Sequence, residues 1–272
     1  MQIDGSTTAL VTGAGSGLGR VIARQLGARG ATVWATDRDP AGLAGVAAEI
    51  GAGGGTAHIR ALDVSSDADW AAALAEAGAV DLLVNNAGVA DVGTLADTSD
   101  RAWTRQLDIN LMGVVRGCRT LTPGMAARRR GHVVNIASFA GLALAPGMIA
   151  YNTAKAAVIA FSSSLRVELA LEGVGVSVVC PAFFPTNLTD SMDEADPATI
   201  ERVHRWMAGS GVTAEDVAAA TLAAVEADEA VVLTHPGTDE MWWRSRALPE
   251  AHRMGLVQAE LARRRRRAAK GG

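Results

Sequence analysis

The chain has 272 residues, 49% of them hydrophobic, and a formal net charge of −4 at pH 7. That length suits one α/β domain with a large core, and the apolar share suits a sheet covered on both faces. The acidic balance gives no support to nucleic-acid binding, no apolar run is long enough to span a membrane, and the start Met1-Gln2-Ile3-Asp4 lacks a leader pattern, so a cytoplasmic location is expected.

Residues 8–12, Thr-Ala-Leu-Val-Thr, read as a first strand that runs into Gly13-Ala14-Gly15-Ser16-Gly17-Leu18-Gly19 and then a helix over 20–29. A strand, a glycine-rich turn and a helix make a dinucleotide-binding unit, because bare backbone and a helix N-terminus suit a pyrophosphate. The second strand, 32–36, ends at Asp37, eighteen residues past Gly19, where a carboxylate accepts hydrogen bonds from adenosine ribose hydroxyls. The bland alternative for Asp37 is a helix cap before Pro40. A helix over 41–50 and a third strand over 56–62, closing on Asp63-Val64, come next. After a helix at 67–77, a fourth strand at 80–84 closes on Asn85-Asn86-Ala87-Gly88, small polar residues of the kind found at a ligand crevice. A long helix over 99–128 carries Asn110, which is either exposed or bonded to local backbone.

The three arginines 128–130 read as a solvated corner before strand five, which ends at Ser138. The helix predicted over 148–173 bears Tyr151, the only tyrosine in the chain, and Lys155, one of two lysines; the other is Lys270. At i and i+4 they share a helical face, and a neighbouring ammonium favours an ionised phenol, which makes the tyrosine an acid/base candidate. In isolation the pair also fits an amphipathic Tyr beside a solvated Lys. Strand six spans 174–180 and stops at Pro181, before the loop 182–187. Residues 188–211, with Met192, Trp206 and Met207, suit a lid over an apolar site or a surface helix pair. A helix over 213–226 with Thr213 as its cap and a seventh strand over 230–234 complete the alternation. Alternating strands and helices imply a single-domain, Rossmann-type, doubly wound parallel sheet of seven strands over residues 1–234. Residues 235–272 form a C-terminal extension, with Trp242-Trp243 as an anchor on the body or another subunit and a solvated or disordered run of arginines, 263–267. Cys118 and Cys180 lie in apolar runs and read as buried free thiols; no metal site is expected.

Taken together these motifs resemble the short-chain dehydrogenase/reductase family over residues 5–234. Thr12-Gly13 through Gly17-Leu18-Gly19 match its cofactor loop, Asn85-Asn86-Ala87-Gly88 its central strand motif, and Asn110, Ser138, Tyr151 and Lys155 its catalytic tetrad in order and spacing. The resemblance implies that Gly13, Ser16, Gly17, Leu18, Gly19, Asp37, Arg38, Asp63, Val64, Asn86, Ala87, Gly88, Tyr151, Lys155, Pro181, Phe183 and Thr186 meet the cofactor. It implies that Tyr151 is the acid/base, that Lys155 lowers its pKa and holds the nicotinamide ribose, that Ser138 orients the substrate oxygen and that Asn110 supports a water leading to solvent. Pro181-Ala182 stands where the family has Pro-Gly, so the loop before Thr186 departs from the pattern. Homodimers or homotetramers are expected as well.

Asp37 favours NAD over NADP, although Arg38 beside it suits a phosphate. Phe139, Leu142, Met148, Phe183, Phe184, Met192 and Trp206 are the expected pocket walls, with no arginine or lysine at an obvious wall position. An apolar secondary alcohol or ketone is the favoured substrate. The alternatives are a reductase of carrier-bound 3-oxoacyl groups, docked by Arg101, Arg105, Arg128 and Arg129, and a non-catalytic dinucleotide sensor.

Overall fold

The computed structural model describes residues 1–144, 146–192 and 197–268. Part of the expected lid, 193–196, and Lys270 lie outside the described residues. Among the described residues, seven parallel strands form one sheet: β1 (Thr8–Thr12), β2 (Thr32–Asp37), β3 (Thr56–Ala61), β4 (Leu82–Asn85), β5 (Gly131–Ile136), β6 (Val174–Val179) and β7 (Val231–Val232). Their order is β3-β2-β1-β4-β5-β6-β7. The order reverses between β1 and β4, so the crevice of a doubly wound sheet opens beyond the carboxyl ends of those two strands.

Side chains alternate across the sheet and divide the core in two. Ala9 and Val11 of β1 join the cluster of Leu26, Val46 and Leu222, whereas Leu10 joins the cluster of Trp70, Leu121 and Val158. The first cluster is covered by α1 (Gly17–Ala28), α2 (Leu43–Ala52) and the helix at Ala214–Ala227. The second is covered by α3 (Asp67–Ala77) and by helices that follow β4 and β5. Thr213 caps Ala214–Ala227 as expected, in a reciprocal box with Asp216.

The helix predicted over 99–128 has a local defect. It consists of α4 (Asp100–Leu107), a π-helical turn at Asp108–Met112, and α5 (Gly113–Arg128). Asn110 sits in the π turn, a geometry that recurs at functional positions. After β5 come a short α6 (Ala140–Ala143) and the long α7 (Ile149–Leu169), which carries Tyr151 and Lys155 one turn apart. Past β6, residues 187–191 form a 3-10 turn and α8 (Pro197–Ala208) lies over the carboxyl end of the sheet. With Ala214–Ala227 as α9, the chain ends in α10 (Thr238–Ala247) and α11 (Pro249–Ala268).

The arginines at 128–130 are a corner at the amino end of the sheet. Arg128 donates to the Val80 carbonyl at 2.7 Å, and Arg130 lies 3.4 Å from the Asp81 carboxylate. Trp242 is half-buried, with Arg246 stacked 4.9 Å from its ring, while Trp243 is 63% exposed. No helix among the described residues is long and apolar enough to cross a membrane.

Candidate active site

A cleft of about 800 Å³ lies beyond the carboxyl ends of β1, β4 and β5. Its floor begins at the glycine-rich turn. Gly13 and Gly17 have φ of +64° and +50°, a region that glycine alone adopts without strain. Gly13, Ser16, Gly17 and Leu18 line the cleft at the N-terminus of α1. Gly19 does not. It faces inward, where an added Cβ would stand 2.1 Å from the Gly13 carbonyl oxygen. Its smallness lets the helix close on the turn.

The Asp37 carboxylate is fixed at the end of β2. It accepts from the Gly15 N–H at 3.0 Å and the Asp39 N–H at 3.1 Å. The cap before Pro40 is Asp39, which accepts from the Ala41 N–H, so the capping alternative for Asp37 is removed. Arg38, Asp63 and Val64 line the same end. Burial would raise the Asp63 carboxyl, but hydrogen bonds from Ser65, with Arg38 and Arg116 nearby, hold it below its ordinary value.

Asn86, Ala87 and Gly88 cross from β4 to the glycine turn. The Asn86 and Ala87 N–H groups both donate to Thr12 Oγ1 at 3.0 Å, and Asn86 Nδ2 donates to the Thr12 carbonyl at 2.9 Å. Asn110 is completely buried, not exposed. Its Oδ1 accepts from the Val89 N–H at 2.9 Å and its Nδ2 donates to the Val89 carbonyl at 2.8 Å. A Cβ on Gly88 would stand 2.9 Å from Asn110 Oδ1 and 3.5 Å from Lys155 Nζ, so Gly88 lets the two side chains approach.

Ser138, Tyr151 and Lys155 complete that wall. Lys155 is 4% exposed, and its ammonium donates to the Ile136 carbonyl at 2.9 Å. It stands 5.8 Å from the centroid of the Tyr151 ring. Burial pushes the Tyr151 phenol up to about 12, and the opposing influence is a hydrogen bond with Ser138. Burial also pulls Lys155 down to about 8. The expected lowering by Lys155 is not among the influences on the phenol here, where desolvation of the charged form dominates.

Phe139, Met148, Phe184 and Met192 are buried lining residues of the same cleft, Met148 and Met192 packed in one cluster with Tyr151, and Phe183 is partly exposed. Leu142 and Trp206 do not line the cleft: Leu142 packs on the core, and Trp206 turns outward beside Phe183 at 5.3 Å. Val203 and Met207 of α8 take the inner positions. Their i, i+4 spacing was the available signal. Arg101 and Arg105 also reach the cleft, contrary to expectation, and Arg105 donates to the Ser191 carbonyl at 2.9 Å.

Pro181, Ala182, Phe183 and Thr186 form the loop beside Ser138. The Pro181 carbonyl accepts from the Phe139 N–H at 2.8 Å and the Ser138 hydroxyl at 3.4 Å. The residue in the place of the family's glycine is unstrained, since Ala182 is not among the non-glycine residues of positive φ. Among the described residues, no group of three His, Cys, Asp or Glu could hold a metal ion.

The doubly wound sheet, the glycine turn and the cleft beyond β1, β4 and β5 define the class of fold to which the chain belongs. Residues 7–197 match the short chain dehydrogenase family, and the chain belongs to it. It is 37% identical over 263 residues to "Probable oxidoreductase EphD" of Mycobacterium tuberculosis, covering 92% of this chain and 44% of that protein. The chain therefore spans less than half the length of that relative. It is 35% identical to the 3-oxoacyl-[acyl-carrier-protein] reductase FabG of Escherichia coli, over 83% of this chain and 92% of the other. Cyclopentanol dehydrogenase of Comamonas testosteroni is 34% identical over 81% of this chain and 90% of its own. A Burkholderia phymatum family member in complex with NAD superimposes with a TM-score of 0.85 at 34% identity, over 92% of this chain and 96% of that one. A metagenomic family member in complex with NADP gives 0.71 at 34% identity, over 86% and 98%.

Proposed function

We propose that the chain moves a hydride between NAD and an apolar secondary alcohol or its ketone. The observation that carries this reading is the meeting of Ser138, Tyr151, Lys155 and Asn110 in one cleft, with Tyr151 packed in an apolar cluster with Met148, Met192, Val203 and Met207. The residues present fit a dinucleotide: positive-φ glycines bare the backbone at the N-terminus of α1, and a fixed carboxylate stands at the end of β2.

The nicotinamide ring, when bound, supplies or accepts the hydride at C4. The turn at Gly13–Leu18 binds the pyrophosphate. Asp37 accepts from the adenosine ribose, Arg38, Asp63 and Val64 border the adenine end, and Asn86, Ala87 and Gly88 carry the middle of the crevice. Pro181, Phe183 and Thr186 hold the nicotinamide end, and Lys155 reaches its ribose. Tyr151 takes the substrate hydroxyl proton in oxidation and returns it in reduction. Ser138 orients the substrate oxygen and stabilises charge there. Asn110, beside Lys155, supports passage of the proton toward solvent. The tail after β7 is structural or interfacial in this reading. A homodimer or homotetramer goes with it on the strength of the family, and a cytoplasmic location is part of the same reading.

Arg101 and Arg105 at the cleft favour one second reading, a reductase of carrier-bound 3-oxoacyl groups. Arg128 and Arg129 do not add to it, because they lie at the other end of the sheet. A panel of alcohols, ketones and 3-oxoacyl thioesters with NAD and NADP, followed by absorbance of the reduced nicotinamide, separates the readings. Turnover of apolar alcohols with NAD is expected. Turnover confined to the thioesters selects the second reading, and cofactor binding without turnover of any substrate defeats both.

A further inference from the structure

The loop at 181–184 is held from two sides. On the site side, Phe139 and Ser138 bond to the Pro181 carbonyl. On the other side stands His235, three residues past β7, a position no motif of the sequence singles out. Its Nδ1 accepts from the Ala182 N–H at 3.2 Å, and its Nε2 lies 3.0 Å from the Phe183 carbonyl oxygen. A carbonyl accepts only, so Nε2 carries the proton and Nδ1 is the acceptor. The Thr234 hydroxyl is 2.9 Å from the same Nδ1. The ring lies 6.2 Å from that of buried Phe184. The backbone of His235 is held in turn, because its carbonyl accepts from the Thr238 hydroxyl at 2.6 Å and the Thr238 N–H at 3.3 Å. One side chain thus satisfies backbone groups of two successive residues in a stretch that lines the cleft.

We propose that His235 is a positioning residue that sets the 181–184 loop for the nicotinamide end of the cofactor. This rests on the proposed function, which gives that loop its role. It also explains how an alanine serves where the family has glycine: the imidazole takes up the Ala182 N–H and keeps the loop in an unstrained conformation. Through Pro181 the same clamp reaches the Ser138 hydroxyl, so the extension beyond β7 is tied to the reacting end of the site.

Three variants test it. His235→Asn keeps an acceptor near the Nδ1 position, His235→Gln keeps a donor near Nε2, and His235→Phe keeps the ring and loses both bonds. Affinity for NADH and for NADPH is read directly by titrating the fluorescence of the reduced nicotinamide, alongside kcat, cofactor KM and Tm. Loss of two ordinary hydrogen bonds corresponds to roughly tenfold weaker binding for His235→Phe, with the other two variants in between. Cofactor KM is expected to rise in step while kcat changes less. Equal affinity in wild type and all folded variants, with or without a lower Tm, would overturn the proposal and leave His235 merely structural. If wild type binds neither NADH nor NADPH, the function itself fails and the clamp with it. Because wild type is measured first, the two failures are distinct.

Discussion

Tyr151 holds its proton tightly, since burial lifts the phenol to about 12, and this has a directional consequence. In the reaction proposed for it, the tyrosine is protonated at neutral pH in the reductive direction. In the oxidative direction the phenolate is scarce, and its fraction grows about tenfold per pH unit below the pKa. Oxidative kcat/KM is therefore expected to climb from pH 7 to about pH 8 while the reductive value does not. Loss of the Lys155 charge above about 8 bends the oxidative curve downward from that rise. Profiles in both directions check this, and parallel profiles would contradict it. Tyr151→Phe removes the proton altogether. Turnover should vanish with NADH affinity nearly unchanged, and more than about a tenth of wild-type kcat would sink the assignment. At the ribose end, Asp37→Ser should weaken NAD and admit NADP, with Arg38 meeting the added phosphate. The ratio of kcat/KM for the two cofactors measures it, and an unmoved ratio tells against Asp37 as the selector. That these residues share one cleft is readable from type and spacing alone. The direction of the tyrosine's shift is not, because i, i+4 spacing reports proximity to a charge and says nothing about burial.

Among the elements, the turn into α1 shows best how geometry and chemistry separate. Gly13 and Gly17 are there for conformation, whereas Gly19 is there for clearance from the Gly13 carbonyl. Gly19→Ala is expected to push α1 off the turn, lowering Tm and weakening NADH binding by tenfold or so, as a 1–2 kcal/mol strain implies. An unchanged titration would show that the helix can shift without cost. The strand and helix order was legible because period and punctuation mark buried parallel strands well. The π turn at Asp108–Met112 was not, since nothing in local propensity announces one extra residue in a turn. It is what leaves Asn110 buried and bonded to Val89. The lid was half legible. Trp206 looks like a wall by size, but the face of α8 is set by Val203 and Met207, and the larger ring lies outside it.

For the whole molecule, the sheet separates two populations of arginine that look alike in sequence. Arg101 and Arg105 reach the carboxyl-end cleft, while Arg128 and Arg130 brace the amino end against Val80 and Asp81. Only topology distinguishes them. The amino end also holds His132, 1% exposed, with Nε2 2.8 Å from the Ser177 hydroxyl. Burial depresses its pKa to about 4. The stability of the neutral form is present above the ordinary value of 6.5 and is lost as pH falls from there toward 4, by about 3 kcal/mol in all. Denaturant unfolding at pH 7.5 and 4.5 should show that loss in wild type and a smaller one in His132→Gln, and equal losses would discount the histidine. One last consequence follows from the single tyrosine. With no other phenol in the chain, tyrosine labelled at Cζ gives one resonance, and tyrosinate absorbance belongs to one residue. The chain carries its own spectroscopic reporter at Tyr151, so its ionisation can be followed as cofactor and substrate arrive, without any engineered label.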